Sequence, residues 1–293
     1  MVTRFIPRLI AVGLLFCSQA LLAQSAVWQV SNDQHQLFIG GTVHLLPANE
    51  FPLPAEFDKA YQQAEKLVFE VDISKMMDPS IGPMMLNYAM YQDGRTLSSV
   101  LSEESYQRLQ QAAAALGVDT KALAPFKPDF VLVQMLQLKL QQLGMAGEGV
   151  DMYFFNKGAQ DNKNKAFLET IEQQFALLFS ISDGHEDDWI AQNLDQLDET
   201  EQFMRQTLAA WRSGDREALT ELVSDMHDTE VGQRFYQRLL TERNQDWVEQ
   251  IDAMLQTPEV EFVLVGALHL AGPDNVLDLL AERGYQVRQL SAN

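Results

Sequence analysis

The pattern Gly-x-x-His occurs twice, each time directly after a short apolar run, and the two copies stand near opposite ends of the chain. Gly41-Thr42-Val43-His44 follows Leu37-Phe38-Ile39, and Gly266-Ala267-Leu268-His269 follows Phe262-Val263-Leu264-Val265. Both continue with Leu and then Pro, as Leu45-Leu46-Pro47 and Leu270-Ala271-Gly272-Pro273. Apolar runs this short, broken by Gly, read as buried strands that end at a turn. The two histidines are 225 residues apart. If their strands are neighbours in one sheet, both imidazoles reach one crevice, which is where ligands bind in open α/β sheets.

Residues 1–23 precede the fold. Arg4 and Arg8 form a charged start, Leu9 to Leu22 is mostly apolar, and Ala20 and Ala23 are small. This is the pattern of a secretory signal peptide, cleaved between Ala23 and Gln24, and it implies a periplasmic or secreted protein. The apolar stretch is too short for a membrane anchor, and no transmembrane segment is expected after cleavage. Cys17, the single cysteine, lies inside this segment behind the bulky Phe16, which argues against lipidation. The mature chain then has no disulfide and no cysteine nucleophile. Losing Arg4 and Arg8 takes the formal net charge from −20 to −22, which argues against nucleic acid as a partner.

About 270 residues remain, enough for one large domain. Strands are expected at 27–30 and 36–39 as a hairpin, then at 67–72, 165–168, 261–265 and 286–290. Helices are expected over 55–65, in a series over 74–147, behind Gly149-Val150-Asp151, and after a capping box of Thr170 and Gln173. Long helices follow over 189–256, and another over about 275–283. Strands at both ends enclosing a helix-rich middle predict an α/β (α+β) fold. It would have a central mixed β-sheet, flanking helices and a helical insertion at about 74–147, in a single domain spanning 24–293. Met76, Met77, Met84, Met85 and Met90 cluster in that insertion, suited to core packing or to an adaptable groove.

Glu70 is the leading carboxylate because the strand that carries it should emerge beside the first His strand. With His44 and His269 it makes two imidazoles and one carboxylate, a set used by open catalytic zinc sites. Asp72, on the same strand face, suits a supporting carboxylate for a metal-bound His, or simply an exposed strand end. Glu169 and Asp151 are secondary candidates, because the capping box and a helix start already account for them. Arg243 lies within an apolar helical stripe of Tyr236, Leu239, Leu240, Trp247, Ile251 and Met254. Its charge demands compensation, with Glu70 the expected partner, and Arg243 serves either in a structural ion pair or as a clamp on a developing oxyanion or a substrate carboxylate. His35, His185 and His227 sit in polar surroundings and read as surface residues. There is no His-Glu-x-x-His helix and no Gly-x-Ser-x-Gly elbow.

Taken together, these residues resemble the TraB/GumN family, which includes the PrgY pheromone-shutdown proteins and the animal Tiki proteins. The resemblance spans roughly Val27 to Leu290. It rests on both Gly-x-x-His copies, Phe69-Glu70-Val71-Asp72, Gly149-Val150-Asp151, Leu168-Glu169-Thr170 with Gln173, and Arg243-Asn244 with Trp247. It implies a fold similar to that of Tiki proteins and erythromycin esterases, and an active set of His44, Glu70, Arg243 and His269. It further implies a metal-dependent hydrolase, a peptidase assisted by manganese or cobalt, acting on a peptide or small-molecule substrate. Ester hydrolysis, as in erythromycin esterases, and non-catalytic binding of peptide or haem are the alternatives the resemblance offers. Metal binding would rest on His44, His269 and Glu70, with manganese, cobalt or zinc as the ion.

Overall fold

A computed structural model describes residues 24–291. The expected signal segment, residues 1–23 with Cys17, lies outside the described residues. Strands β1 (Gln24–Ser31) and β2 (Gln36–Thr42) form the opening hairpin, followed by α1 (Ala55–Gln63) and β3 (Lys66–Phe69). Helices α2 (Ile81–Ala89), α3 (Leu97–Val100), α4 (Glu103–Ala115), α5 (Pro128–Gln142) and α6 (Val150–Gln160) lead to β4 (Asn164–Phe167). Next come α7 (Ile171–Leu178), α8 (Glu186–Gln196), α9 (Thr200–Ser213), α10 (Arg216–Leu222), α11 (Glu230–Tyr236) and α12 (Glu242–Met254). Strand β5 (Glu261–Gly266), helix α13 (Val276–Glu282) and β6 (Gln286–Ser291) close the chain.

The six strands form one mixed sheet in the order β4-β3-β5-β2-β1-β6. Strands β4, β3, β5 and β2 are parallel, whereas β1 runs antiparallel to both β2 and β6. The late strand β5 thus sits between two early ones. Its register against β2 sets Gly41 opposite Val265 and Thr42 opposite Gly266. The two Gly-x-x-His copies therefore leave the sheet side by side. Gly40 permits this pairing, because a Cβ there would lie 2.8 Å from the Phe262 ring.

Phe57, Phe154, Trp211 and Phe262 interlock in the main core, and all four are fully buried. Each large apolar side chain removed from water contributes about 2–3 kcal/mol. Residues 74–147 hold α2 to α5 and an apolar centre of their own, in which Leu97, Leu109, Val131 and Met135 meet Ile190 of α8. Met84 and Met85 pack near Phe130 and Phe175 in a further centre, while Met76 is exposed. No helix among the described residues is long and apolar enough to cross a membrane.

Two local features depart from the expected pattern. Strand β3 stops at Phe69 rather than at Asp72. The Asp72 carboxylate accepts from Ser74 N–H at 3.1 Å and from its hydroxyl at 2.6 Å, which turns the chain into a 3-10 segment, Ile73–Met77. Asp72 is committed to that turn and supports neither histidine. The expected long stripe around Arg243 is not one regular helix, because a π turn, Gln237–Thr241, joins α11 to α12.

Candidate active site

His44 follows β2 by two residues, and a second segment fixes it. Val150 N–H donates to the Val43 carbonyl at 3.1 Å, and Leu45 bridges Glu148. Gly149 makes this approach possible, since a Cβ there would lie 2.2 Å from the His44 carbonyl oxygen. The same contact brings Asp151, in the first turn of α6, under the imidazole. His44 Nδ1–H donates to Asp151 Oδ2 at 2.8 Å, and the Thr42 hydroxyl donates to Oδ1 at 2.6 Å. Asp151 is buried, yet 67% of the His44 side chain is exposed. The Asp151 carboxylate raises the His44 pKa to about 9, although water on the exposed side screens part of that attraction.

Glu70 emerges one residue past β3 and is buried. Its Oε1 accepts from Gly266 N–H at 2.7 Å, and its Oε2 accepts from Arg243 Nη2 at 2.6 Å and from Gln174 at 3.4 Å. Burial alone would raise this carboxyl. Arg243, the neighbouring histidines and the Gly266 N–H overcome that penalty and hold it at about 2. Glu169 joins the same cluster, accepting from Arg243 Nε at 2.7 Å and from Trp247 Nε1 at 2.9 Å. The capping box of Thr170 and Gln173 is present as well, so Glu169 pairs with Arg243 from just ahead of a capped helix.

His269 lies in a 3-10 turn, Ala267–Leu270, and is 4% exposed. Asn244 Oδ1 accepts from Nδ1–H at 2.6 Å, which leaves Nε2 to accept from Arg243 Nη1 at 3.1 Å. Burial pushes its pKa down to about 3, so the ring stays neutral. Asn244 was visible in sequence only as the neighbour of Arg243. Its burial in α12 and its reach to His269 depend on the packing of α12 beside the β5 turn.

Gly266 is where the pieces meet. A Cβ on it would be 3.4 Å from Glu70 Oε1, 3.5 Å from His269 Cδ2 and 3.9 Å from His44 Nε2. His269 thus turns a C–H toward this gap, while its Nε2 faces Arg243. No group of three or more His, Cys, Asp or Glu among the described residues is arranged to hold a metal ion. The donor set explains this: His44 Nε2 and one lone pair of Glu70 Oε1 face the gap, but the His269 lone pair is taken by a guanidinium. His44, His269 and Glu70 do not fit a metal as a three-ligand set. The half-buried His35 and His185 and the exposed His227 lie elsewhere. An open cavity of about 380 Å³ lies past His44, between Pro47, Asn49, Met145 and Arg212.

The sequence model of the TraB/PrgY/gumN family matches residues 26–289. The chain is 26% identical over 249 residues to the uncharacterised protein YbaP of Escherichia coli K12, covering 82% of this chain and 86% of YbaP. An uncharacterised protein of Treponema pallidum is 22% identical over 273 residues, covering 87% of this chain and 80% of that protein. No solved structure matches the chain. With the family match running from the first strand to the last, the chain belongs to the TraB/PrgY/gumN family.

Proposed function

We propose that this protein is a hydrolase of acyl bonds, with peptides as its substrate class, in which His44 donates a proton and Glu70 acts as base. One observation carries the reading: an exposed imidazole anchored on a buried carboxylate, and a clamped carboxylate, face the same gap at Gly266. Their pKa values are driven in opposite directions, to about 9 and about 2, and such a division assigns acid and base in paired groups. A water held by the open lone pair of Glu70 Oε1 attacks the acyl carbon and yields its proton to the carboxylate. His44 Nε2–H protonates the departing amine as the C–N bond breaks. The proton on Glu70 then returns to His44 through solvent. Arg243 holds Glu70 in position, and His269 in turn accepts from Arg243. The reading includes action in the periplasm or outside the cell, so the exported protein should begin at Gln24.

A second reading places a divalent ion, manganese, cobalt or zinc, on His44 Nε2 and Glu70 Oε1. The Asp151–His44 pair favours it, since carboxylates commonly orient metal-bound imidazoles this way. The test is a mixed peptide library incubated with purified mature protein, with chelator and separately with each ion, and followed by mass spectrometry. Cleavage should fall by about two orders of magnitude or more in His44→Ala and Glu70→Gln. Protein that retains library members without consuming them under all these conditions would sink the hydrolase reading and favour a sequestering protein.

A further inference from the structure

We infer that Arg243 is the resident cation of this site: its guanidinium fills the place a metal would take among His269, Glu70 and Glu169, and His269 serves it as an acceptor rather than as a metal ligand. The inference goes beyond the hydrolase reading and does not depend on turnover. A guanidinium has five N–H donors in a fixed plane and no acceptor. Here all five have partners. Nε donates to Glu169 Oε1 at 2.7 Å, and Nη2 donates to Glu70 Oε2 at 2.6 Å and Glu169 Oε2 at 3.2 Å. Nη1 donates to His269 Nε2 at 3.1 Å and to the Leu239 carbonyl at 3.2 Å.

Two carboxylates and a neutral imidazole around one centre would otherwise suit zinc or manganese. The tautomer is the deciding point. Because Asn244 takes the Nδ1 proton at 2.6 Å, the only lone pair of His269 points at Arg243. A dication within roughly 2.1 Å of Nε2 would have to displace the guanidinium from its own acceptor and lie against it. Trp247 closes one side, with Arg243 Cζ 4.4 Å from its ring centroid and the His269 ring tilted against it at a centroid distance of 4.3 Å. The π turn, Gln237–Thr241, helps by presenting the Leu239 carbonyl to Nη1.

The test is titration of chelator-stripped mature protein with Zn²⁺ and Co²⁺, by calorimetry and by Co²⁺ visible absorption, with no substrate present. His269→Gln should reproduce the wild-type isotherm. Arg243→Ala empties the socket and should bind at least about tenfold tighter than wild type, a gain that adding His269→Gln reverses. Wild-type binding that weakens about tenfold or more in His269→Gln would overturn the inference. So would a folded Arg243→Ala protein with wild-type affinity. If Arg243→Ala does not fold, the comparison of wild type with His269→Gln decides alone. Absence of peptide turnover would count against the hydrolase reading and leave this result intact.

Discussion

His44 and His269 share a motif yet end in opposite electrostatic states. One keeps an exposed ring over a buried carboxylate, and the other is sealed beside a guanidinium. Asp151→Asn should therefore bring the His44 pKa down from about 9 toward its ordinary range near 6.5. NMR titration of the ring protons reads this directly, and an unchanged titration would remove Asp151 as the cause. Arg243 departs from the oxyanion clamp considered from sequence, because no N–H is left to offer a substrate. Arg243→Met would strand the buried Glu70 and the largely buried Glu169, with side chains 7% and 12% exposed. It should cost roughly 3–5 kcal/mol in denaturant unfolding. Adding Glu70→Gln and Glu169→Gln should recover part of that loss; a single Arg243→Met with wild-type stability would show that the cluster is not what the geometry describes.

Among the elements, the segment ahead of α6 matters out of proportion to its length. A Cβ at Gly149 would lie 2.2 Å from the His44 carbonyl oxygen, and one at Gly147 would lie 2.3 Å from that of Leu46. Both obstacles are backbone, so the segments must part. Gly149→Ala should lower thermal stability by the equivalent of about 1–3 kcal/mol and weaken the His44–Asp151 pair. Gly82, in α2, is the control: nothing lies within 4 Å of its Cβ position, and Gly82→Ala should be neutral or slightly stabilising. Equal melting temperatures for the two variants would contradict the proposed clamp. The strands, the capped start of α7 and the Glu70–Arg243 pairing were legible from apolar runs, cap residues and charge compensation. The π turn and the early end of β3 were not, because each depends on bonds that compete locally with the regular ladder.

For the whole molecule, the cluster makes acid the sensitive side. Glu70 titrates at about 2 in the fold against 4.5 unfolded, so its contribution is present above pH 4.5 and is lost as pH falls toward 2. His269 is held neutral down to about 3 against 6.5, so unfolding takes up its proton and stability falls as pH drops from 6.5 to 3. His44 has the opposite sign, with stability present below 6.5 and lost as pH rises through about 9, and solvent weakens it. Melting temperature should accordingly fall steeply below pH 6.5 and gently above neutrality. His269→Gln should flatten the slope between pH 6.5 and 4; an identical slope would mean that His269 is not held neutral.

Local information in the sequence determined the alternation of strands and helices, the paired Gly-x-x-His turns and the need to neutralise Arg243, because periodicity, glycine and an uncompensated charge act over a few residues. Only the tertiary structure decided which nitrogen of each histidine is free. That choice depends on Asp151 for His44 and on Asn244 for His269, partners supplied by α6 and α12 once those helices pack against the ends of β2 and β5. A hydrogen bond fixes a tautomer by direction and distance, and no spacing along the chain contains either.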